Sequence, residues 1–431
     1  MSKRSPLPGD GVNRAPAGGL FARVRDTLLS LGVAAVGVTT ADPFPEVKSM
    51  LEDRRRRGLA ADMNFTYRNP ARSTDPRRSL PAAESMVVAA WRYWPRESCP
   101  ARDGVRLRRK ERLVTHVAHA SGWGTVARYA GEDNYGRLRA ALAEAAGLIE
   151  SEGYRTRVLV DDNALVDRAA AVRAGLGWYG RNSCVMVGDE GSWFVLGALL
   201  TDAPLARSDP AIGADAKSGS SDPGRLRAAG CGPCRRCIEL CPTGAITPRG
   251  EVDARRCLAW LLQSPGVFPF ELREALGDRI YGCDVCQEVC PYNRVRGESG
   301  SGRRAPAVLV PPRVRLAELV LQDDATLLER FGRWYIPARE PRYLRRNALV
   351  VIGNVGSAAD RETVEVLRRA SEHPDPLVRA HAAWAARRLR VEEELEVHRD
   401  DHPLVRAEVE AFERVPPAPG ARVVAAAVVT S

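Results

Sequence analysis

The chain has 431 residues, 45% of them hydrophobic, with 64 Lys and Arg against 54 Asp and Glu for a formal charge of +10. That length accommodates two or three domains with real cores, and no run approaches eighteen consecutive apolar residues, which excludes a membrane-spanning helix. The basic balance favours an acidic partner, of which nucleic acid is the commonest.

Residues 1–19 are rich in Pro and Gly and read as disordered, and they contain no apolar core of signal-peptide length, so a cytoplasmic protein is expected. Phe21, Val24, Leu28, Leu29 and Leu31 recur at helical spacing, and Val33–Thr39 then reads as a buried strand. Met86–Trp94 is a second strand. Tyr135–Glu152 is an amphipathic helix leading into a strand from Arg155 to Val160, which stops at Asp161 and Asp162. A carboxylate at the end of such a strand lies where open sheets bind ligands, although an Asp there also serves as a helix cap. Val166–Ala174 reads as helix, Gly177–Asn182 as a turn, and Val185–Val187 and Trp193–Leu200 as strands. Alternating helix and strand indicate an α/β or α+β domain.

Residues 207–230 are dense in Ser, Gly, Asp and Pro and read as a flexible insertion. Eight of the ten cysteines follow it. Cys231, Cys234, Cys237 and Cys241 with Pro242 form C-x2-C-x2-C-x3-C-P, in which the close trio holds one 4Fe-4S cube and the fourth thiolate crosses to another. The run Cys283, Cys286, Cys290, Pro291 lacks its opening cysteine, and Cys257 makes up the count. Applied both ways, the crossing rule assigns Cys231, Cys234, Cys237 and Cys290 to cluster 1, and Cys241, Cys257, Cys283 and Cys286 to cluster 2. Structural zinc prefers paired C-x2-C knuckles, and disulfides need an oxidising compartment, so neither suits this spacing. Cys99 and Cys184 are left as small buried residues.

A second boundary falls at 297–312, where Gly, Ser and Pro cluster again. Residues 303–346 hold ten Arg against five acidic residues, the pattern of a basic face. From Glu340 the pattern is helical: Tyr343–Ile352, Arg361–Ala370 and Leu377–Leu389, the last opening on the Asp-Pro start of a HEAT-type repeat. Such helix pairs bury their apolar faces only by stacking on a neighbour. Residues 393–431 are left unassigned.

These pieces together resemble the epoxyqueuosine reductases, enzymes that complete queuosine in the tRNA wobble position. The resemblance covers about residues 20–392 and rests on the eight cysteines with CDVCQEVCPYN, on VDDNALVDRAAAVRAGLGWYGRN, on GSWFVLG, and on RRNALVVIGN with DPLVRAHAAWA. The chain departs from the family at Asp162–Ala164, where a VDT- or VDS-type start with a later proline is usual, and at GEDNYG, where RGRDYH is commoner. The resemblance implies an α+β protein with a nitroreductase-like cobalamin-binding domain (20–206), a two-cluster ferredoxin-like domain (231–297) and a HEAT-like domain (313–392). It implies two 4Fe-4S clusters, cobalamin held without a protein ligand to the metal, and a substrate tRNA with a GUN-type anticodon carrying epoxyqueuosine. An external low-potential electron donor and a monomer are expected. Asp161 falls on the proton-donating carboxylate, with Asp162 as the alternative. Arg72, Arg128, Tyr129, Tyr135, Trp178, Asn182, Ser183 and Trp193 fall at candidate cobalamin contacts, with Trp178 and the corrin expected to bury Asp161. Arg339, Arg342, Arg345 and Arg346 are the candidate phosphate contacts.

Two other functions fit parts of the chain. Reductive dehalogenases are similar in cobalamin domain and clusters, but typically follow a twin-Arg signal with two fuller ferredoxin runs. An electron-transfer ferredoxin fused to an interaction scaffold leaves the N-terminal residues without a role.

Overall fold

The computed structural model describes residues 19–63, 65–94, 122–207, 230–293, 311–396 and 399–414. The N-terminal segment to residue 18, Cys99, residues 208–229 of the insertion, the boundary at 297–310 and residues 415–431 of the tail lie outside the described residues.

Strand Ser85–Arg92 shows how the first domain is built. Met86, Val88 and Ala90 point to one face of a sheet and Val87 and Ala89 to the other, all wholly buried, so both faces must be covered. In chain order the strands are β1 (Ala35–Thr40), β2 (Ser85–Arg92), β3 (Trp123–Val126), β4 (Thr156–Val160), β5 (Gly177–Tyr179), β6 (Val185–Val187), β7 (Phe194–Thr201), β8 (Arg279–Tyr281) and β9 (Arg313–Arg315). The main sheet runs β1-β2-β7-β4 with every neighbour antiparallel, which leaves β4 at an edge.

The helices that cover it are α1 (Leu20–Ser30), α2 (Pro45–Arg56), α3 (Pro70–Ser73), α4 (Asn134–Ser151) and α5 (Asp167–Arg173). Leu138, Leu142, Ala145 and Ile149 line one stripe of α4 and pack with Val24 and Leu28 of α1 on the Val87 face. Ala169, Ala170 and Ala171 of α5 lie on the Met86 face. Leu142 is wholly buried, and Leu142→Ala would cost about 2–5 kcal/mol. The expected turn at Gly177–Asn182 begins as strand β5, which pairs with β6 in a hairpin. A Cβ on Gly177 would overlap the Met186 carbonyl, so only glycine allows that approach.

The cysteine-rich region adds short helices α6 (Arg236–Glu239), α7 (Leu258–Leu261), α8 (Arg273–Leu276) and α9 (Val285–Glu288). The C-terminal region adds α10 (Leu316–Leu321), α11 (Asp324–Phe331), α12 (Arg342–Val355), α13 (Arg361–Ser371), α14 (Pro376–Leu389) and α15 (Pro403–Arg414). Asp360 and Asp375 cap α13 and α14, their side chains accepting from the backbone N–H of Glu362 and Leu377. One apolar core runs from Val126 and Ala130 through Leu258–Tyr281 into α10–α14. A small sheet, β8-β3-β9, takes one strand from each region and ties the three together.

The tail left unassigned contains α15, whose Glu408 accepts two 2.7 Å hydrogen bonds from the wholly buried Arg273. No helix among the described residues is long and apolar enough to cross a membrane.

Candidate active site

Edge strand β4 ends on Asp161, which takes a left-handed backbone conformation at φ 51°. A residue with a Cβ is seldom held there, and such strain concentrates at functional sites. Arg139 of α4 donates to the Val160 carbonyl at 2.6 Å and pins the strand end. The Asp162 side chain accepts from the Ala164 N–H at 2.9 Å and so closes a local turn. The Asp161 carboxyl accepts no hydrogen bond among the described residues. Partial burial pushes it above the usual carboxylate range; Arg139 opposes that shift and Asp162 adds to it.

Tyrosines wall this carboxyl. Tyr135 of α4 and Tyr281 of β8 both feel its charge, and burial pushes the Tyr281 phenol up to about 12. Tyr129 lies edge-on to Tyr135 at 6.4 Å and beside Tyr281 at 6.3 Å, and Tyr93 continues the row to Trp193. Deeper in the wall is Asp167, the first residue of α5. Burial, reinforced by Asp161 and Asp162, pushes its carboxyl well up, with Arg168 opposing. An acidic residue in the first turn of a helix is common, which conceals it in sequence.

The cysteines gather into two sets. Cys231, Cys234, Cys237 and Cys290 line one cavity with Arg181, Met186 and Tyr292. Burial and mutual repulsion push Cys237 up to about 12 and Cys290 to about 11. In the second set Cys283 is pushed up to about 12 by burial, with Cys257 adding; Cys286 feels Cys283 and Cys257, and Cys257 feels Cys241. Backbone N–H groups point at sulfur, Arg181 to Cys231 at 3.4 Å and Ala245 to Cys241 at 3.3 Å. Among the described residues no three His, Cys, Asp or Glu side chains converge on a point where one metal ion would sit. Cysteines at ferredoxin spacing, with no such single-ion site, fit 4Fe-4S cubes better than zinc, and the iron charge would keep the thiolates deprotonated. Cys184, expected as a small buried residue, is half-buried and neighbours Cys286 of the second set.

Several expected cobalamin contacts serve the protein itself. Arg128 pairs with Asp284 at 3.1 Å and Glu288 at 2.7 Å and lies over Trp94 and Trp193. Asn182 donates to the Cys286 carbonyl at 3.1 Å, Ser183 donates to the Gly250 carbonyl at 3.0 Å, and Trp193 is buried. Arg128 and Asn182 thereby tie the sheet domain to the cluster region, through Asp284, Glu288 and the Cys286 carbonyl. Trp178 stands edge-on to Tyr292 at 5.1 Å beside the first cysteine set, so it is not the residue that buries Asp161. Arg72 is exposed, and Tyr129 and Tyr135 belong to the wall beside Asp161.

The four C-terminal arginines divide. Arg346 is wholly buried and donates to the carbonyls of Ser264, Gly266 and Leu261, and burial pushes its guanidinium down to about 9. Arg345 is buried on Asp324 and the carbonyls of Val320 and Gln322. Both are corrected from phosphate contacts to internal ties, since their forks already hold protein acceptors. Arg339 is exposed at φ 57°, and half-exposed Arg342 reaches Glu340 and Asp375. Arg339 and Arg342 line a cleft of ≈ 770 Å³ with His373 and Pro374. Exposed Tyr335, packed on Phe65 at 5.0 Å, stands between the helical region and the sheet domain.

Residues 230–293 match the 4Fe-4S double cluster binding domain, and residues 336–412 match HEAT repeats. The epoxyqueuosine reductase of Staphylococcus aureus is 32% identical over 372 residues, covering 85% of this chain and 88% of the relative. That of Pseudomonas aeruginosa is 30% identical over 391 residues, covering 89% and 99%. Among solved structures, an epoxyqueuosine reductase with an epoxyqueuosine-modified tRNA-Tyr stem loop superposes with TM-score 0.71 at 26% identity, covering 91% of this chain and 97% of that one. The enzyme from Streptococcus thermophilus superposes with TM-score 0.72 at 26% identity, covering 92% and 99%.

Proposed function

The chain belongs to the epoxyqueuosine reductase family, and from that premise we infer that it reduces epoxyqueuosine to queuosine in the anticodon wobble position of tRNA. The observation that carries this reading is an unpartnered acid, Asp161, walled by tyrosines in a chain that gathers two cysteine quartets. Opening an epoxide to an alkene takes two electrons and two protons and releases water. When bound, two 4Fe-4S clusters and cobalamin supply those electrons, which no side chain can.

The chain's own residues do the rest. The eight cysteines hold the clusters as sets 231, 234, 237, 290 and 241, 257, 283, 286. Tyr129 and Tyr135 offer flat, apolar faces that fit a macrocycle such as cobalamin, and exposed Arg72 is a further contact for it. Asp161 holds its proton at a higher pH than an ordinary carboxyl and donates it to the oxygen developing charge as the epoxide opens. Its freedom from hydrogen bonds favours it over Asp162, which is committed to a turn. Arg139 keeps it in place by holding Val160.

Arg339 and Arg342 meet phosphates of the anticodon stem-loop, so affinity falls with salt. A GUN-type anticodon, an external low-potential donor, a monomer and a cytoplasmic setting complete the reading. The test is anaerobic reconstitution with iron, sulfide and cobalamin, followed by analysis of epoxyqueuosine-containing tRNA after reductant is added. Cobalamin-dependent queuosine is the expected product; bound corrin and about eight irons without turnover would point to another substrate.

A further inference from the structure

Two protons enter each turnover, one to convert the opened epoxide oxygen to a hydroxyl and one to let that oxygen leave as water. Asp161 holds only one. Asp167, which the mechanism above does not use, has Oδ1 buried without a hydrogen-bond partner among the described residues. A carboxylate in that setting is costly, whereas a neutral carboxylic acid is tolerated. The groups facing it are Asp161 and Asp162 from the end of β4, Arg168 on its own helix and Tyr135 from α4. Asp161 is faced in turn by Arg139 of α4 and Tyr281 of β8.

We propose that Asp167 is a proton reserve that reloads Asp161 within each turnover; the proposal rests on the reductase reading above. Asp161 first gives its proton to the epoxide oxygen and becomes a carboxylate. The Asp167 O–H proton then passes to Asp161, directly or through one water, and Asp161 delivers it to the departing hydroxyl. The alkene and water are formed with the two electrons from the external donor, and Asp167 recovers a proton from solvent. Arg168 offsets the negative charge while Asp167 is ionised. Asp167 acts through Asp161 and is therefore a positioning residue rather than a catalytic one.

The test compares Asp167→Asn, Asp167→Glu and Asp161→Asn as holoproteins with clusters and cobalamin bound. Asp167→Asn should lower kcat about 10- to 100-fold, leave KM for tRNA unchanged and enlarge the solvent deuterium effect. It should also remove a protonated-carboxyl band from the infrared spectrum of the resting protein, and Asp167→Glu should restore the rate. A wild-type kcat and pH profile in Asp167→Asn, or an unchanged infrared band, overturns the proposal. Should Asp167→Asn not hold its clusters, Asp167→Glu decides: a displaced kcat–pH profile supports the relay, and a wild-type profile overturns it. An active Asp161→Asn overturns the acid assignment and the relay together, whereas an inactive Asp161→Asn beside a wild-type Asp167→Asn overturns the relay alone.

Discussion

In the function proposed, the cysteine quartets and the Asp161 pocket serve the two halves of one reduction, electrons and protons, yet they are built in opposite ways. The quartets come from one continuous stretch, Cys231 to Cys290, folded around short helices α6 and α9. The pocket takes Asp161 from the end of β4, Asp167 from α5, Tyr135 and Arg139 from α4 and Tyr281 from β8. A cluster ligand must be a thiolate at a set spacing, a property of the chain itself. A proton donor needs a suitable pKa, which its surroundings create.

The largest expected effect breaks the electron half. Cys257→Ala should reduce bound iron from about eight to about four atoms per chain and abolish turnover, as iron analysis and electron paramagnetic resonance would show. Iron remaining at about eight atoms would mean that Cys184, already beside Cys286, completes the second set.

Asp161→Asn breaks the proton half. Turnover should fall about 10²- to 10⁴-fold while both chromophores persist, and full activity would remove Asp161 from the mechanism. In the wild type the acid must be protonated, and its pKa is raised. The rate should therefore hold at lower pH and decline as pH climbs through that raised value, which a kcat–pH series would reveal.

Two arginines sharpen the distinction between chain-determined and surroundings-determined roles. Arg346→Ala should destabilise the fold by roughly 3 kcal/mol through unsatisfied carbonyls at Ser264 and Gly266, measured by denaturant unfolding. Arg339→Ala should leave stability unchanged, raise KM for tRNA and reduce the salt slope by about 1.

The smallest effect concerns stability and pH. The folded pKa of Asp167 lies above its unfolded value, so its favourable contribution is complete below the ordinary carboxylate range and is lost as pH rises through the folded pKa. Asp167→Asn never ionises. It should match the wild type in Tm at acid pH and exceed it at alkaline pH, by about 1.4 kcal/mol per unit of raised pKa; calorimetry at the two pH values checks the sign.

Much of the scaffold was legible because its periods are local. The α4 stripe of Leu138, Leu142 and Ile149 and the β2 alternation both follow from facing a buried layer every 3.6 or 2 residues. β5 reads as a turn in sequence because three residues are too few to display a period. α15 was missed because Glu408 gains its meaning only from Arg273, far away in sequence. Asp167 is not singled out by the Val166–Ala174 pattern, since its missing partner is visible only when the chain is folded.

By itself the sequence determined the cluster chemistry and the family, since ligand type, ligand spacing and motif order are written in the covalent chain. The tertiary structure decided which acid stands free and which arginines face solvent. Asp161 and Asp162 are adjacent in sequence, as are Arg345 and Arg346, but a turn claims Asp162, and carbonyls roughly eighty positions away claim Arg346. Hydrogen bonding and burial, not residue type, separate such neighbours, because the energy of a charge depends on what replaces its water.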